Sequence, residues 1–94
     1  MWFTYILYSY KIDKYYIGYS DNLELRIERH NAGWGKFTKH GIPWILVYYE
    51  EFNLKSEAIS REYMLKKMKS RKLIKDLIAG GRPEASGSLV GPAK

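Results

Sequence analysis

FTYILYSYKIDKYYIGY, residues 3–19, is two aromatic and β-branched runs joined by a short polar link. Residues 3–10 contain no breaker and read as a strand, and residues 15–19 read as a second. The link Lys11-Ile12-Asp13-Lys14 is short enough to fold the second run back on the first, although it lacks the Asn-Gly or Asp-Gly signature of a tight turn. Side chains alternate across a strand, so Tyr5 shares a face with Phe3 and Leu7, and Tyr16 shares one with Gly18. A glycine inside a strand marks a place where another group approaches the backbone closely. Six of the nine tyrosines fall in this hairpin. For most of them, a tyrosine-rich surface strand is explanation enough.

Outward from the hairpin, Asp21 or Ser20 can cap a helix that starts near Asn22 and ends by Gly33. Residues 33–43 read as a loop with three glycines and a proline, made basic by Lys36 and Lys39. Residues 44–52 are a third, strongly apolar strand. Ser56 can cap the next helix, with Glu57 in its first turn, and that helix runs to about Lys69. Ser70 can cap a short last helix that stops at Gly80-Gly81. The order is β-β-α-β-α-α. This is an α/β (α+β) domain over residues 1–79: a small, three-stranded, mainly antiparallel sheet flanked by helices. The third strand, reached through a helix, could run either way, and the later helices can cover at least one sheet face. Residues 80–94 hold four of the eight glycines and two of the three prolines, and read as a disordered tail.

The chain has no cysteine, which excludes disulfides and thiolate metal sites and fits a reducing cytoplasm. No basic segment precedes an apolar run at the N-terminus, so no leader is expected. The longest apolar run, residues 44–49, is too short to span a bilayer. The formal net charge of +6 favours a polyanionic partner, nucleic acid first.

On the first helix, Leu23 and Ile27 form the apolar stripe, and Arg26 and His30 border it one turn apart. They are either rim residues or parts of a site. On the second helix, Glu62 is four residues after Ala58 and three before Leu65, which places it near the sheet. A carboxylate there is paired, protonated or metal-bound. The plain alternative is an i,i+4 pair with Lys66. Lys66, Lys67, Lys69, Arg71, Lys72 and Lys75 form a basic run, with Asp76 as its one acid. Such a run is either a solvated face or a set of phosphate contacts.

These residues together resemble the GIY-YIG endonuclease superfamily, its small standalone bacterial members in particular, and the nuclease domain at the N-terminus of the excinuclease that makes repair incisions. Phe3-Thr4-Tyr5 occupies the first motif, keeping its tyrosine but not its glycine or isoleucine. Tyr16-Ile17-Gly18 matches the second literally. Arg26 follows Gly18 by eight residues, and His30 follows Arg26 by four. Ser56-Glu57-Ala58 through Glu62 and Leu65-Lys66 resembles the glutamate helix. The asparagine that many members carry beyond that helix is missing, since none follows Asn53.

The resemblance implies a divalent-metal-dependent endonuclease that hydrolyses phosphodiester bonds, with DNA as the expected substrate in repair or recombination. By the same resemblance Tyr5, Tyr16, Arg26, His30 and Glu62 are the catalytic set. Glu62 holds one Mg²⁺ or Mn²⁺ ion, an arrangement magnesium tolerates because it keeps waters and takes phosphate oxygens. Tyr5 is the general base or positions the water, and a cation or a hydrogen bond must lower its pKa if it is the base. Arg26 holds the scissile phosphate. Tyr16 and His30 position the phosphate or share protons there. Gly18, Lys36, Lys39, Lys66, Lys67, Lys69, Arg71 and Lys72 are the expected nucleic-acid contacts. The alternative is a non-catalytic nucleic-acid-binding module, or a nuclease subunit completed by a protein partner. Oligomeric state is not written in the residues.

Overall fold

The computed structural model describes residues 1–80, so the tail expected over residues 80–94 lies, apart from Gly80, outside the described residues. Strands β1 (Trp2–Ser9), β2 (Lys14–Ser20) and β3 (Trp44–Phe52) alternate with helices α1 (Leu23–Asn31), α2 (Lys55–Met68) and α3 (Arg71–Ile78) in the expected order. The sheet order is β2-β1-β3, and both pairings are antiparallel, which settles the direction of the third strand. Tyr5 stands opposite Gly18 on one side and Tyr49 on the other.

The central strand is covered on both faces, which is why Thr4, Tyr5, Ile6 and Leu7 are all buried. One face carries Ile6, Ile17 and Tyr48 against Leu65 of α2 and Ile74 of α3. The other carries Tyr5, Leu7 and Trp44 against Leu23 and Ile27 of α1. The two helical layers leave β2 as an edge.

Local chemistry differs from expectation at three points. Asn22, not Asp21 or Ser20, caps α1, its side chain accepting from Leu25 N–H at 3.0 Å. Ser20 is occupied in holding Asn22, its hydroxyl accepting from the Asn22 N–H at 3.0 Å. Leu54, not Ser56, is the N-cap of α2. No polar cap side chain is needed there, because Glu57 reaches back to accept from the Leu54 N–H at 3.2 Å. The loop expected over residues 33–43 contains a 3₁₀ turn, Thr38–Gly41. It is pinned by buried bonds: Ser9 donates to the Gly41 carbonyl at 2.7 Å, and the Trp44 indole donates to the Thr38 carbonyl at 2.5 Å. Ser70 caps α3 as expected, accepting from Leu73 N–H at 3.0 Å.

Candidate active site

Tyr5 points from the central strand across Gly18 of the edge strand. A Cβ on Gly18 would lie 2.5 Å from the Tyr5 hydroxyl oxygen and 2.7 Å from its ring. Only glycine lets the ring cross there, which is the physical content of the glycine in Tyr16-Ile17-Gly18. The hydroxyl oxygen of Tyr5 then lies 3.1 Å from Nε2 of His30. Nδ1 of the same ring lies 2.9 Å from the Thr38 hydroxyl. Two tautomers satisfy the chain. In one, Tyr5 donates to Nε2 and Nδ1–H donates to Thr38. In the other, every bond runs the opposite way. Tyr5, His30 and Thr38 are all buried.

Helix α1 delivers Arg26 and His30 to this point because they lie one turn apart beside the Leu23–Ile27 stripe. The Arg26 guanidinium hydrogen-bonds the Tyr5 hydroxyl, and that contact is the main reason its own pKa is raised. Helix α2 brings Glu62 round the β2 edge, close enough for its charge to act on Tyr5. Tyr16 packs edge-on against His30, with ring centroids 4.9 Å apart. The five residues expected to act together therefore meet at one place.

Electrostatics sort their roles. Burial pushes the Tyr5 phenol up to about 12, against the pull of Arg26. The lowering that a base would need is thus absent from the protein alone. Burial, then the charge of Arg26, holds His30 below its ordinary value, so the imidazole is neutral at pH 7.

Two carboxylates serve α2, and they differ in what is left over. Glu50 is buried and accepts from Tyr48 at 2.5 Å and from two Arg61 nitrogens at 2.9 and 3.0 Å. Glu62 is half-buried and pairs with Lys66 at 2.9 Å. So Glu62 keeps lone pairs for a metal and Glu50 does not. Among the described residues no three His, Cys, Asp or Glu side chains gather into a metal site. The donor set therefore fits an ion that brings its own waters and takes phosphate oxygens.

The expected nucleic-acid contacts divide. Lys36 and Lys39 are exposed on the segment after α1. Lys66 pairs with Glu62 and sits 5.8 Å over the Tyr16 ring. Lys66, Lys69 and Arg71 line a cleft of about 320 Å³ along the β2 edge with Tyr15 and Tyr16. Arg71 also pairs with Asp13 at 2.5 Å. Lys67 lies instead over Tyr63, and Lys72 pairs with Asp76 at 3.0 Å. Neither lines the cleft. The site also draws in two residues that sequence reasoning misses: Thr38, and Phe37, which stacks on Tyr16. A threonine and a phenylalanine inside a loop carry no periodicity that could single them out.

A buried tyrosine threaded over a strand glycine, on this β-β-α-β-α-α frame, is the arrangement implied by the Tyr-Ile-Gly resemblance. Residues 1–75 match the GIY-YIG catalytic domain, and the chain belongs to that family, whose fold is that of nucleases. Its relatives include the UPF0213 protein of Staphylococcus haemolyticus, 47% identical over 66 residues, 69% of this chain and 80% of that one. A UPF0213 protein of Clostridium perfringens is 48% identical over 67 residues, 70% of this chain and 71% of its own. The solution NMR structure of a UPF0213 protein from Bacillus halodurans is similar to it with a TM-score of 0.52 and 33% identity, covering 95% of this chain and 97% of that chain. Among the described residues, no helix is long and apolar enough to cross a membrane.

Proposed function

We propose that the chain is a metal-dependent endonuclease that hydrolyses phosphodiester bonds in nucleic acid, DNA in the first instance, within a reducing cytoplasm. The observation that carries this reading is the buried Tyr5–His30 contact at 3.1 Å beside Arg26. A phenol held at about 12 is a poor standing base at neutral pH. It becomes useful if it passes its proton on as it takes one. The attacking water gives a proton to the Tyr5 oxygen, and Tyr5 gives its own to Nε2 of neutral His30. Thr38 orients the ring by accepting from Nδ1–H. Arg26, with its fork of donors, holds the scissile phosphate and offsets charge that builds there. Tyr16 packs His30 in place. Glu62 would hold one Mg²⁺ or Mn²⁺ ion, and Lys66 would then turn to a phosphate. When bound, that ion supplies charge neutralisation at the reacting phosphate.

The test is cleavage of supercoiled plasmid and branched oligonucleotides with Mg²⁺ or Mn²⁺, beside Glu62→Ala and EDTA controls. Loss of cleavage in both controls is expected. Equal cutting by Glu62→Ala would sink the reading. A second reading, a binding module or a subunit completed by a partner, draws on the Glu62–Lys66 pair, which occupies the proposed metal ligand. Salt-sensitive binding without cleavage under either metal would favour it.

A further inference from the structure

Two large rings on the segment after α1 are left out of the core. Trp34 is 70% exposed and Phe37 is 50% exposed. Neither is carried on a loose loop. Gly33, at φ +88°, closes α1: its N–H bonds the His30 carbonyl at 3.2 Å, and the Trp34 N–H bonds the Arg29 carbonyl at 3.1 Å. This pair of bonds is a Schellman ending, in which the residue after the glycine is set back over the last helical turn. Trp34 occupies that position, with the Arg29 guanidinium 4.7 Å from its ring centroid. The cation covers one face, and most of the indole still meets solvent.

Phe37 is held differently. Its ring stacks on Tyr16 at 6.3 Å and 25°, and Tyr16 in turn packs on His30. A continuous pile of rings thus leads from the buried site to the surface. The same segment is electrically one-sided. No acidic residue occurs between Glu28 and Glu50, a stretch that contains Arg29, Lys36 and Lys39.

Flat apolar faces set among unopposed cations match one ligand chemistry: aromatic bases joined by phosphates. In a continuous duplex the base faces are already stacked on one another and cannot be shared. We propose that Trp34 and Phe37 are a stacking platform for unpaired bases flanking the phosphate at the Tyr5–Arg26 site. The substrate class is then nucleic acid with unpaired bases at the cut, as in a single strand, a flap or a junction. This inference rests on the nuclease reading of the site.

The test is binding in EDTA, where no cut is made, followed by fluorescence anisotropy at low salt. The ligands are a labelled single strand, the same strand with abasic sites replacing its bases, its blunt duplex, and a flap and a junction containing it. Wild type is expected to prefer the base-bearing strand to the abasic one, and to bind the flap and junction more tightly than the duplex. Trp34→Ala and Phe37→Leu should each weaken binding to the base-bearing strand by roughly 5- to 100-fold and leave the abasic strand unchanged. Trp34→Phe and Phe37→Tyr should retain most of the binding, which separates stacking from misfolding. Equal losses on the abasic strand and the duplex, or no loss at all, would overturn the platform alone. Failure of wild type to bind any of the ligands would remove the nuclease reading along with it.

Discussion

The phenolic oxygen of Tyr5 and Nε2 of His30 lie 3.1 Å apart with both side chains buried, and Gly18 opposite Tyr5 is what permits the approach. The pair is built from a central strand and a helix that pack face to face. Its geometry is therefore set by the core and not by a mobile loop.

Tyr5→Phe keeps the buried ring and deletes only the hydroxyl. If Tyr5 moves the proton of the attacking water, single-turnover cleavage should fall by about 10²–10⁴-fold. Far-UV circular dichroism should be unchanged. Retention of cleavage within a few-fold of wild type would remove Tyr5 from the chemistry.

His30 adds a pH dependence whose sign is fixed. Its folded pKa lies below the ordinary 6.5, chiefly through burial. Below 6.5 the unfolded chain therefore binds more protons than the folded one, so stability is complete above that value and is lost as pH falls toward the folded pKa. Protonated His30 also cannot accept from Tyr5. Cleavage should show an acidic limb below 6.5, and thermal melts should drop over the same range. His30→Gln should flatten the stability change, leaving only the carboxylate titration at lower pH.

How far all this is legible in the sequence depends on whether a residue's role is local. Tyr16-Ile17-Gly18 and the four-residue step from Arg26 to His30 are patterns within one strand and one helix, so spacing alone exposes them. Ala58 and Leu65 place Glu62 near the sheet, and both are fully buried. The direction of β3 is not legible, because the connection from α1 fixes no polarity. Thr38 meets His30 only through the fold of a glycine-rich loop. The basic run divides because Lys69, at φ +48°, ends α2 and turns the chain, so cations adjacent in sequence face different ways. Ser56 has the chemistry of a cap, but Glu57 satisfies the preceding backbone from inside the helix.

Glu62 and Glu50 should respond oppositely to loss of charge. Glu62→Gln leaves an exposed lysine without its partner and should abolish metal-dependent cleavage with little change in melting. Glu50→Gln breaks a buried, three-bonded carboxylate beside Arg61. It should cost about 3 kcal/mol in denaturant unfolding while leaving cleavage by the folded fraction intact. The reverse assignment of effects would exchange the roles of the two carboxylates.

Gly18→Ala tests the crossing directly. The new methyl would meet the Tyr5 hydroxyl oxygen at 2.5 Å, so the ring must shift. Overpacking of this kind costs roughly 1–3 kcal/mol. The larger effect should be on turnover, because the displaced oxygen loses His30 and Arg26 together. A melting shift with full cleavage would mean that Tyr5 tolerates displacement, which the proposed proton path does not allow.

Lys69 and Lys72 are three residues apart and differ in what they face. Lys69 lines the cleft with Tyr16, whereas Lys72 is tied to Asp76 along α3. A strand whose phosphate enters the Tyr5–Arg26 site and continues along the β2 edge passes Lys69 and misses Lys72. Each phosphate contact contributes about one to the slope of log affinity against log salt. Lys69→Ala should therefore weaken binding and reduce that slope by about one, across all sequences. Lys72→Ala should leave the slope unchanged. If both substitutions lower it equally, the cations act as a diffuse field and the strand is not guided by the cleft.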